Sequence, residues 1–367
     1  MTLHIFNPEH DIALASNLAN FTAPHAGRQL RADLGYLPAL WAEPGDSVLV
    51  DHVESAVRAW QRLCQRLKVV NCGNNWRQKE VSFESTAPKP TAINPWGWNL
   101  ALRASLIRQG MDESLLPTTE QIADVRQMSH RRTAANLLPL LRIEGTVGEV
   151  FECTAPEQVE ELLARYGQVV LKAPWSSSGR GLRFLSIERT PFQMQAGWFR
   201  NLVASQGSVM VEPYYNKVKD FAMEFEATEQ GIRYLGLSLF HTQNGAYIGN
   251  ILTTDRTKRD MLCHYLPASL LDDVQQQICQ SLGLGNYRGP FGVDMMIVSP
   301  SVSHQSVQNF APFNSNSQFF LHPCVEINLR RTMGHVALAI SPTDDDLLRV
   351  MRVVYNGANY KLRIQRL

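Results

Sequence analysis

VVLKAPWSSSGRGLRFL, residues Val169–Leu185, is the stretch that decides how this chain folds and what it binds. Val169–Leu171 is a short β-branched and apolar run, typical of a buried strand, and a second apolar run begins at Leu182. The loop between them is rich in Ser and Gly, so its successive backbone N–H groups can turn inward and hold an anion. Lys172 at the strand end and Arg180 within the loop add two positive charges. This combination predicts a binding site for a triphosphate.

An ordinary hairpin with a flexible tip would explain the same stretch, because Gly/Ser turns are common. The loop is not a Walker A motif, since no Gly-Lys-Ser/Thr follows it, and it is not a dinucleotide fingerprint, since no helical pattern follows the glycines. The choice between the two interpretations therefore depends on the sequence downstream.

Two acidic segments downstream favour the phosphate site. Asp294 lies near the start of an apolar strand, and a later segment reads CVEINLR, in which strand alternation places Glu326, Asn328 and Arg330 on one face. If the two strands are neighbours, Asp294, Glu326 and Asn328 form a set of oxygen donors suited to Mg²⁺ bound together with phosphates. A half-exposed strand with a polar outer face would explain Glu-x-Asn-x-Arg alone, but the order of motifs after Lys172 favours a metal site.

A helix predicted to follow Ser129 carries Arg131 and Arg132 in its first turn. Positive charge at a helix N-terminus works against the helix dipole, at a cost of about 0.3–1 kcal/mol, and a phosphate partner would account for it. Simple solvent exposure is the alternative explanation.

The ordered set of motifs resembles the ATP-grasp superfamily, from about residue 129 to about residue 340. The resemblance implies a core of two lobes with antiparallel sheets, and ATP with one or two Mg²⁺ ions (Mn²⁺ as an alternative) as cofactors. It implies that Lys172 contacts the nucleotide phosphates and that Arg330 lies near the transferred phosphate, so these two are the expected catalytic residues. The family usually has a Lys where this chain has two arginines, and either Arg can bind phosphate.

The resemblance also implies further nucleotide contacts from the helix start, the loop, the hinge that follows and an acid for the ribose. These are Arg131, Arg132, Ser176, Ser177, Ser178, Gly179, Arg180, Gly181, Glu212, Tyr214, Tyr215 and Asp220.

The first third of the chain alternates predicted strands and helices. Leu3–Phe6, Val48–Val50 and Val69–Val70 are expected to be strands, with an amphipathic helix before the last of them, which predicts a parallel sheet. Ligands gather at the carboxyl ends of such strands. The polar residues after the first strand are therefore candidate substrate contacts: Asn7, Glu9, His10 and Asp11. A helix cap at Asp11 with solvated neighbours is equally compatible.

Two further segments are weaker candidates for substrate contacts. The turn NPWGWN carries Trp96 and Trp98, which either line a pocket or are buried where two domains meet. Arg256, Lys258 and Arg259 form a basic stretch that is either a lid or acceptor site for an acidic substrate, or a plain solvated loop.

Composition limits the class of protein. The chain has 367 residues and a net charge of +1, with no basic tract or acidic tail, so neither nucleic acid nor a membrane is an expected partner. Six scattered cysteines without a Cys-x-x-Cys pair indicate a reduced compartment, and the polar N-terminal stretch does not read as a signal peptide. A cytoplasmic protein, as a monomer or homo-oligomer, is expected.

The predicted fold class is α/β, with an N-terminal parallel α/β domain at 1–128 and an ATP-grasp domain at 129–367. The second domain is divided into lobes at 129–210 and 211–345 and a C-terminal helix or tail at 346–367. The expected function is that of an ATP- and Mg²⁺-dependent ligase joining a small carboxylate to an amine through an acylphosphate. A small-molecule kinase of the same fold and a non-catalytic nucleotide-binding protein are the alternatives.

Overall fold

The computed structural model describes residues 1–69, 80–86, 89–176, 181–243, 246–300 and 319–366. Four predicted loop residues lie outside the described residues, as do Val70 and most of the 299–318 segment. The four are Ser177, Ser178, Gly179 and Arg180.

The N-terminal part is a parallel sheet flanked by helices, as the sequence predicts. Its strands lie in the order β3-β2-β1-β4, and every described pairing between them is parallel. In chain order the elements are β1 (Thr2–Ile5), α1 (His10–Ser16), α2 (His25–Leu34), β2 (Ser47–Leu49), α3 (Val53–Val69), β3 (Ser82–Glu84), β4 (Ala92–Pro95), α4 (Leu100–Arg108) and α5 (Thr119–Met128).

Two details of the N-terminal prediction are wrong. Val69 is the last residue of α3 and not the start of a strand, because the amphipathic helical pattern continues through it. The third strand is β3, and a fourth, β4, takes up the beginning of the NPWGWN turn, with Asn94 paired to His4. Tertiary pairing overrides the local turn propensity here.

The middle of the chain forms a small antiparallel sheet, in the order β5-β8-β6-β7. In chain order its elements are α6 (Arg132–Leu137), β5 (Phe151–Cys153), α7 (Pro156–Tyr166), β6 (Gln168–Lys172), β7 (Leu182–Ser186), α8 (Ala196–Gln206) and β8 (Val209–Pro213). One face of the sheet packs on α7 and α8 through residues such as Leu171, Val211 and Phe199. The other face carries Lys172 and Glu212.

The remainder forms a seven-stranded antiparallel sheet, in the order β13-β12-β9-β10-β11-β14-β15. In chain order the elements are β9 (Asn216–Thr228), β10 (Gly231–Gln243), β11 (Ala246–Leu252), α9 (Asp255–Cys263), α10 (Ala268–Ser281), β12 (Gly289–Ser299), β13 (Phe320–Asn328), α11 (Met333–Ile340), β14 (Arg349–Tyr355) and β15 (Tyr360–Arg366). One face packs on α6 and α10, so α6 belongs to this core rather than to the small sheet. The parallel sheet and the two antiparallel sheets confirm the predicted fold class.

The C-terminal segment is a β-hairpin and not a helix or tail. In β14 and β15 the buried residues Met351 and Ile364 alternate with exposed Arg352 and Arg363, which is the period of a strand. The hairpin extends the large sheet through β11.

The basic stretch at 256–259 is helical and is not a plain loop. Thr254 caps α9 by accepting a hydrogen bond from the backbone N–H of Thr257 at 3.2 Å. No described helix is long and apolar enough to cross a membrane.

Candidate active site

The predicted oxygen donors lie together on one face of the large sheet. Asp294 on β12 and Glu326 on β13 are directly opposite each other in the antiparallel pair, and Asn328 Nδ2 donates to Asp294 Oδ2 at 3.2 Å. Burial, and next the charge of Glu326, raises the pKa of Asp294 to about 7. Burial also raises the pKa of Glu326, against the opposing charge of Arg131. Two crowded, partly buried carboxylates are an environment that a bound cation would stabilise.

The donor set fits a hard cation such as Mg²⁺ through two carboxylates and one amide oxygen. Within the described ranges no group of three or more His, Cys, Asp or Glu side chains is arranged to hold a metal, so Asn328 is needed to complete this set.

Arg131 connects the two antiparallel sheets. Its guanidinium contacts Glu326 Oε1 at 2.9 Å and donates to the carbonyl of Ala173 at 3.0 Å and to Ser176 Oγ at 3.3 Å. Arg132 instead pairs with Glu152 at 2.5 Å on the surface. Of the two arginines predicted for phosphate binding, the structure therefore brings only Arg131 to the cluster.

Lys172 forms a buried ion pair with Glu212 across β6 and β8, with Nζ and Oε2 2.6 Å apart. The family resemblance implies an adenine hinge at Glu212 made largely by backbone groups; the Glu212 side chain neutralises Lys172. Lys172 also interacts electrostatically with Glu326 and His322 of β13, which places it on the side that faces the large sheet.

The ends of the Ser/Gly loop meet at Gly181. The Ala173 N–H donates to the Gly181 carbonyl at 2.9 Å, and a Cβ at Gly181 would lie 2.5 Å from Ser176 Cβ. Because Cβ atoms do not approach that closely, only glycine at position 181 allows these two ends to lie so close together.

Two aromatic side chains beside this loop remain accessible. Tyr214 and Phe184 are exposed, with ring centroids 6.2 Å apart, and Phe184 pairs with Val170 on the face that carries Lys172. Phe184 is missing from the sequence prediction, although the alternation in LRFLS places it on that face. Tyr215 has a packing role, because its hydroxyl accepts the Glu149 N–H at 3.1 Å and its ring lies against His322.

Asp220, expected near the ribose, lies on the same face of the sheet as Asp294. Its carboxylate accepts hydrogen bonds from Lys217 Nζ at 2.6 Å and Thr242 Oγ1 at 2.5 Å. Any contact with a ligand would have to compete with these two donors.

Arg330 makes its strongest contacts with the N-terminal part of the chain. Nε and Nη2 donate to the two carboxylate oxygens of Asp11 at 2.7 and 2.6 Å, and Nη2 also donates to Asn328 Oδ1 at 2.9 Å. Burial would lower the pKa of Arg330, but the charge of Asp11 and its hydrogen bonds outweigh burial and raise it. The end of β13 is thus fixed to the start of α1.

The other polar residues after β1 have structural partners. The Asn7 amide hydrogen-bonds to the backbone of Gly97, Glu9 pairs with Arg31 at 2.9 Å, and the buried His10 ring packs against Gly97. Burial lowers the pKa of His10 to about 4, so the ring is neutral. Contacts within the fold therefore account for Asn7 and Glu9 without a substrate.

The structure separates the three residues of the basic stretch. The Arg256 side chain is 80% exposed and lies 3.8 Å from Asp345, and Arg259 pairs with Asp272 at 2.6 Å on the surface. Lys258, by contrast, is only 1% exposed and interacts electrostatically with Asp255 and Glu224. Only Lys258 of the three points into the protein.

Glu224 is a buried acid near the site that sequence reasoning missed. Thr332 Oγ1 donates to its Oε1 at 2.8 Å, and its Oε2 lies 3.0 Å from His335 Nδ1. Its charge interacts with Asp294, Arg330 and Lys258. The alternation of DFAMEFEA places Glu224 on the same face as Asp220, which is the signal that would have found it.

Comparison with known proteins gives likenesses of structure only. No family model matches the sequence, and no curated protein matches it. Among solved structures, N5-carboxyaminoimidazole synthetase from Staphylococcus aureus complexed with ADP is 12% identical, with a TM-score of 0.45 over 86% of this chain and 84% of that one. The biotin carboxylase domain of Hydrogenobacter thermophilus 2-oxoglutarate carboxylase, with MgADP, is 13% identical, with a TM-score of 0.44 over 83% and 63%.

A RimK domain ATP-grasp protein from Sphaerobacter thermophilus is 18% identical, with a TM-score of 0.40 over 81% of this chain and 97% of that one. At identities and TM-scores this low, the likenesses determine neither the activity nor the substrate of this chain.

Proposed function

We propose that this chain is an ATP- and Mg²⁺-dependent ligase of the ATP-grasp type, which joins a small carboxylate to an amine through an acylphosphate. The observation that carries the proposal is one cluster: Asp294, Glu326 and Asn328 share a face of the large sheet, Arg131 contacts Glu326, and Lys172 interacts electrostatically with Glu326. The large sheet thereby supplies oxygen donors for a metal ion, and Arg131 and Lys172 supply two positive charges for phosphate.

The nucleotide phosphates would bind between Lys172, Arg131 and the two described ends of the Ser/Gly loop, Ser176 and Gly181. Each cation is already balanced by a carboxylate, Glu212 for Lys172 and Glu326 for Arg131. A bound triphosphate would share these cations, and its negative charge would stay largely neutralised in a buried site. Tyr214 and Phe184 would offer an aromatic surface for the base.

In the proposed reaction an oxygen of the substrate carboxylate attacks the γ-phosphorus, and the bond from that phosphorus to the β–γ bridging oxygen breaks, which releases ADP. The amine nitrogen then attacks the acyl carbon, loses a proton and displaces inorganic phosphate. Arg131 and Lys172 stabilise charge on the phosphoryl oxygens and hold the reactants in position. Mg²⁺ held by Asp294, Glu326 and Asn328 would supply further charge neutralisation to the phosphates.

Lys258 is the residue that best fits the substrate carboxylate. It is almost fully buried, and the charges that act on its ammonium group are those of Asp255 and Glu224. Burial lowers its pKa to about 8, against the charges of Asp255 and Glu224. Burial of a cation is unfavourable, and an anionic group of the substrate would offset that cost.

The test is ADP release from purified protein with Mg²⁺ and ATP, against pools of carboxylic acids and amino acids with and without added amines. We expect ADP only when an acid and an amine are both present. In the Asp294→Asn variant, release should fall to background while urea unfolding is unchanged. Asp272→Asn, which removes a surface partner of Arg259, is the matched control and should retain full turnover.

Other outcomes contradict the proposal in distinct ways. Undiminished turnover in Asp294→Asn would show that the metal set is wrong. ADP formed with a single compound, together with a stable phosphorylated product, would identify a kinase. Thermal stabilisation by Mg-ATP without ADP in any pool would leave a nucleotide-binding protein without this activity.

A further inference from the structure

Asp11 and Arg330 form a bidentate ion pair between distant parts of the chain. The two oxygens of Asp11 each accept one guanidinium N–H, at 2.7 and 2.6 Å, and both side chains are largely shielded from water. Bidentate pairs of this kind fix geometry as well as charge. The pair joins Asp11, in the first turn of α1, to Arg330, which lies two residues beyond the end of β13 at Asn328.

Arg330 also donates two hydrogen bonds to groups other than Asp11. Nη1 donates to the Arg331 carbonyl at 3.1 Å, and Nη2 donates to Asn328 Oδ1 at 2.9 Å. Arg330 therefore has little freedom to turn toward a transferred phosphate, where the family resemblance places it. Its contacts instead orient the Asn328 side chain.

The orientation of the Asn328 amide follows from these contacts. An amide oxygen accepts and an amide nitrogen only donates, so a flipped Asn328 would set its NH₂ against the Arg330 donors. In the observed orientation Nδ2 donates to Asp294 at 3.2 Å, and Oδ1 accepts from Arg330 with one lone pair left over. That lone pair is available to a cation.

The geometry assigns Asp11 as a positioning residue that fixes Arg330 and, through it, presents the Asn328 amide oxygen to the metal site. The inference rests on the metal ligands of the proposed function. It adds Asp11, from the N-terminal part of the chain, as a residue that holds one of those ligands in position. A second contact reinforces the same segment, because Arg331 lies over the Trp41 ring at 4.5 Å and its N–H donates to the Trp96 carbonyl at 2.9 Å.

The experiment is a direct titration of the full chain with Mn²⁺ alone, followed by electron paramagnetic resonance. We expect Asp11→Asn and Arg330→Lys each to weaken Mn²⁺ binding about 10- to 100-fold, the range typical of residues that orient a metal ligand. The double variant should lose no more than the worse single variant, because both changes act through one contact. Glu113→Gln, which removes an exposed partner of Arg103 in the same domain, should bind Mn²⁺ like the unmodified chain.

Thermal denaturation separates this role from a purely structural one. If Asp11 only holds the domains together, Asp11→Asn will lower the melting temperature and leave the Mn²⁺ affinity of the folded protein unchanged, which would overturn the inference. Additive losses in the double variant, or no Mn²⁺ binding by the unmodified chain, would overturn it as well. Mn²⁺ binding that depends on Asp11 in a protein that releases no ADP would sustain the inference and reject the ligase.

Discussion

Glu224 shows at the scale of one residue how burial sets a protonation state. Its Oε2 lies 3.0 Å from His335 Nδ1, yet no described group donates a hydrogen bond to it. The Thr332 N–H points at the same Nδ1 from 3.1 Å, so that nitrogen carries no proton. The contact is favourable only if Glu224 supplies the proton, and burial correspondingly raises the pKa of Glu224 to about 8.

The raised pKa predicts a pH dependence of stability. Between the unfolded value near 4.5 and the folded value near 8, the folded chain binds the proton more tightly than the unfolded chain. The contribution of Glu224 is therefore fully present below about pH 4.5 and is lost as the pH rises through about 8. In Glu224→Gln a neutral amide donates to His335 at every pH, so the free energy of unfolding should fall less steeply with pH than in the unmodified chain.

Urea unfolding at several pH values checks this, with Glu226→Gln, on the partly exposed surface of the same strand, as the control. Parallel pH profiles for the unmodified chain and Glu224→Gln would mean that Glu224 is ionised in the folded protein.

At the scale of the element, the start of α11 and the middle of β12 each require a glycine, because both pack against the Glu224 carboxylate. A Cβ at Gly334 would lie 1.8 Å from Glu224 Oε1 and 2.6 Å from Ser238 Oγ, and a Cβ at Gly292 would lie 2.6 Å from Glu224 Oε2. The atoms in the way belong to a fully buried, hydrogen-bonded network, so they cannot move aside cheaply.

We expect Gly334→Ala to destabilise the fold by roughly 1–3 kcal/mol, the range of overpacked sites, as measured by urea unfolding. Gly197→Ala in α8 is the matched control, because nothing lies within 4 Å of the added methyl group. Alanine favours a helix by about 1 kcal/mol over glycine, so the control should be unchanged or slightly more stable. Equal effects of the two substitutions would contradict the packing argument.

Sequence patterns were sufficient to predict features that depend on residues close together in the chain. Strand alternation put Glu326 and Asn328 on one face, as β13 has them, whereas Arg330 lies beyond the end of that strand. The metal-site prediction depended on the Asp294 strand being its neighbour, and β12 does pair with β13. Patterns were insufficient where a partner far along the chain decides the outcome. Nothing near Arg330 indicates that Asp11 occupies its guanidinium, and nothing near Arg131 distinguishes it from Arg132 before Glu326 and Glu152 are placed in space.

At the scale of the whole molecule, the last hairpin completes the hydrophobic core beside the N-terminal parallel sheet. Met351 and Ile364 belong to one buried cluster with Phe6, Leu34 and Trp96, and the Tyr360 N–H donates to Asp33 at 2.7 Å. Residues from both sides of position 128 build this core. The domain division predicted there therefore stays a prediction.

Ile364→Ala should lower the free energy of unfolding by about 2–5 kcal/mol, because it removes buried methyl groups from this shared core. Val354→Ala, at a 40% exposed position of the same hairpin, should change it by less than about 0.5 kcal/mol. Circular dichroism during urea unfolding measures both. A small effect of Ile364→Ala would show that the hairpin contributes little to the first domain.

The shared core has a consequence for how the protein is made. On a ribosome that adds about 5–20 residues per second, Ile364 emerges roughly 15–50 s after Trp96. For that interval the nascent N-terminal sheet lacks part of its apolar cover, so its exposed surface is a natural target for a chaperone. The sheet that is synthesised first is thus among the last parts of the chain to have a complete core.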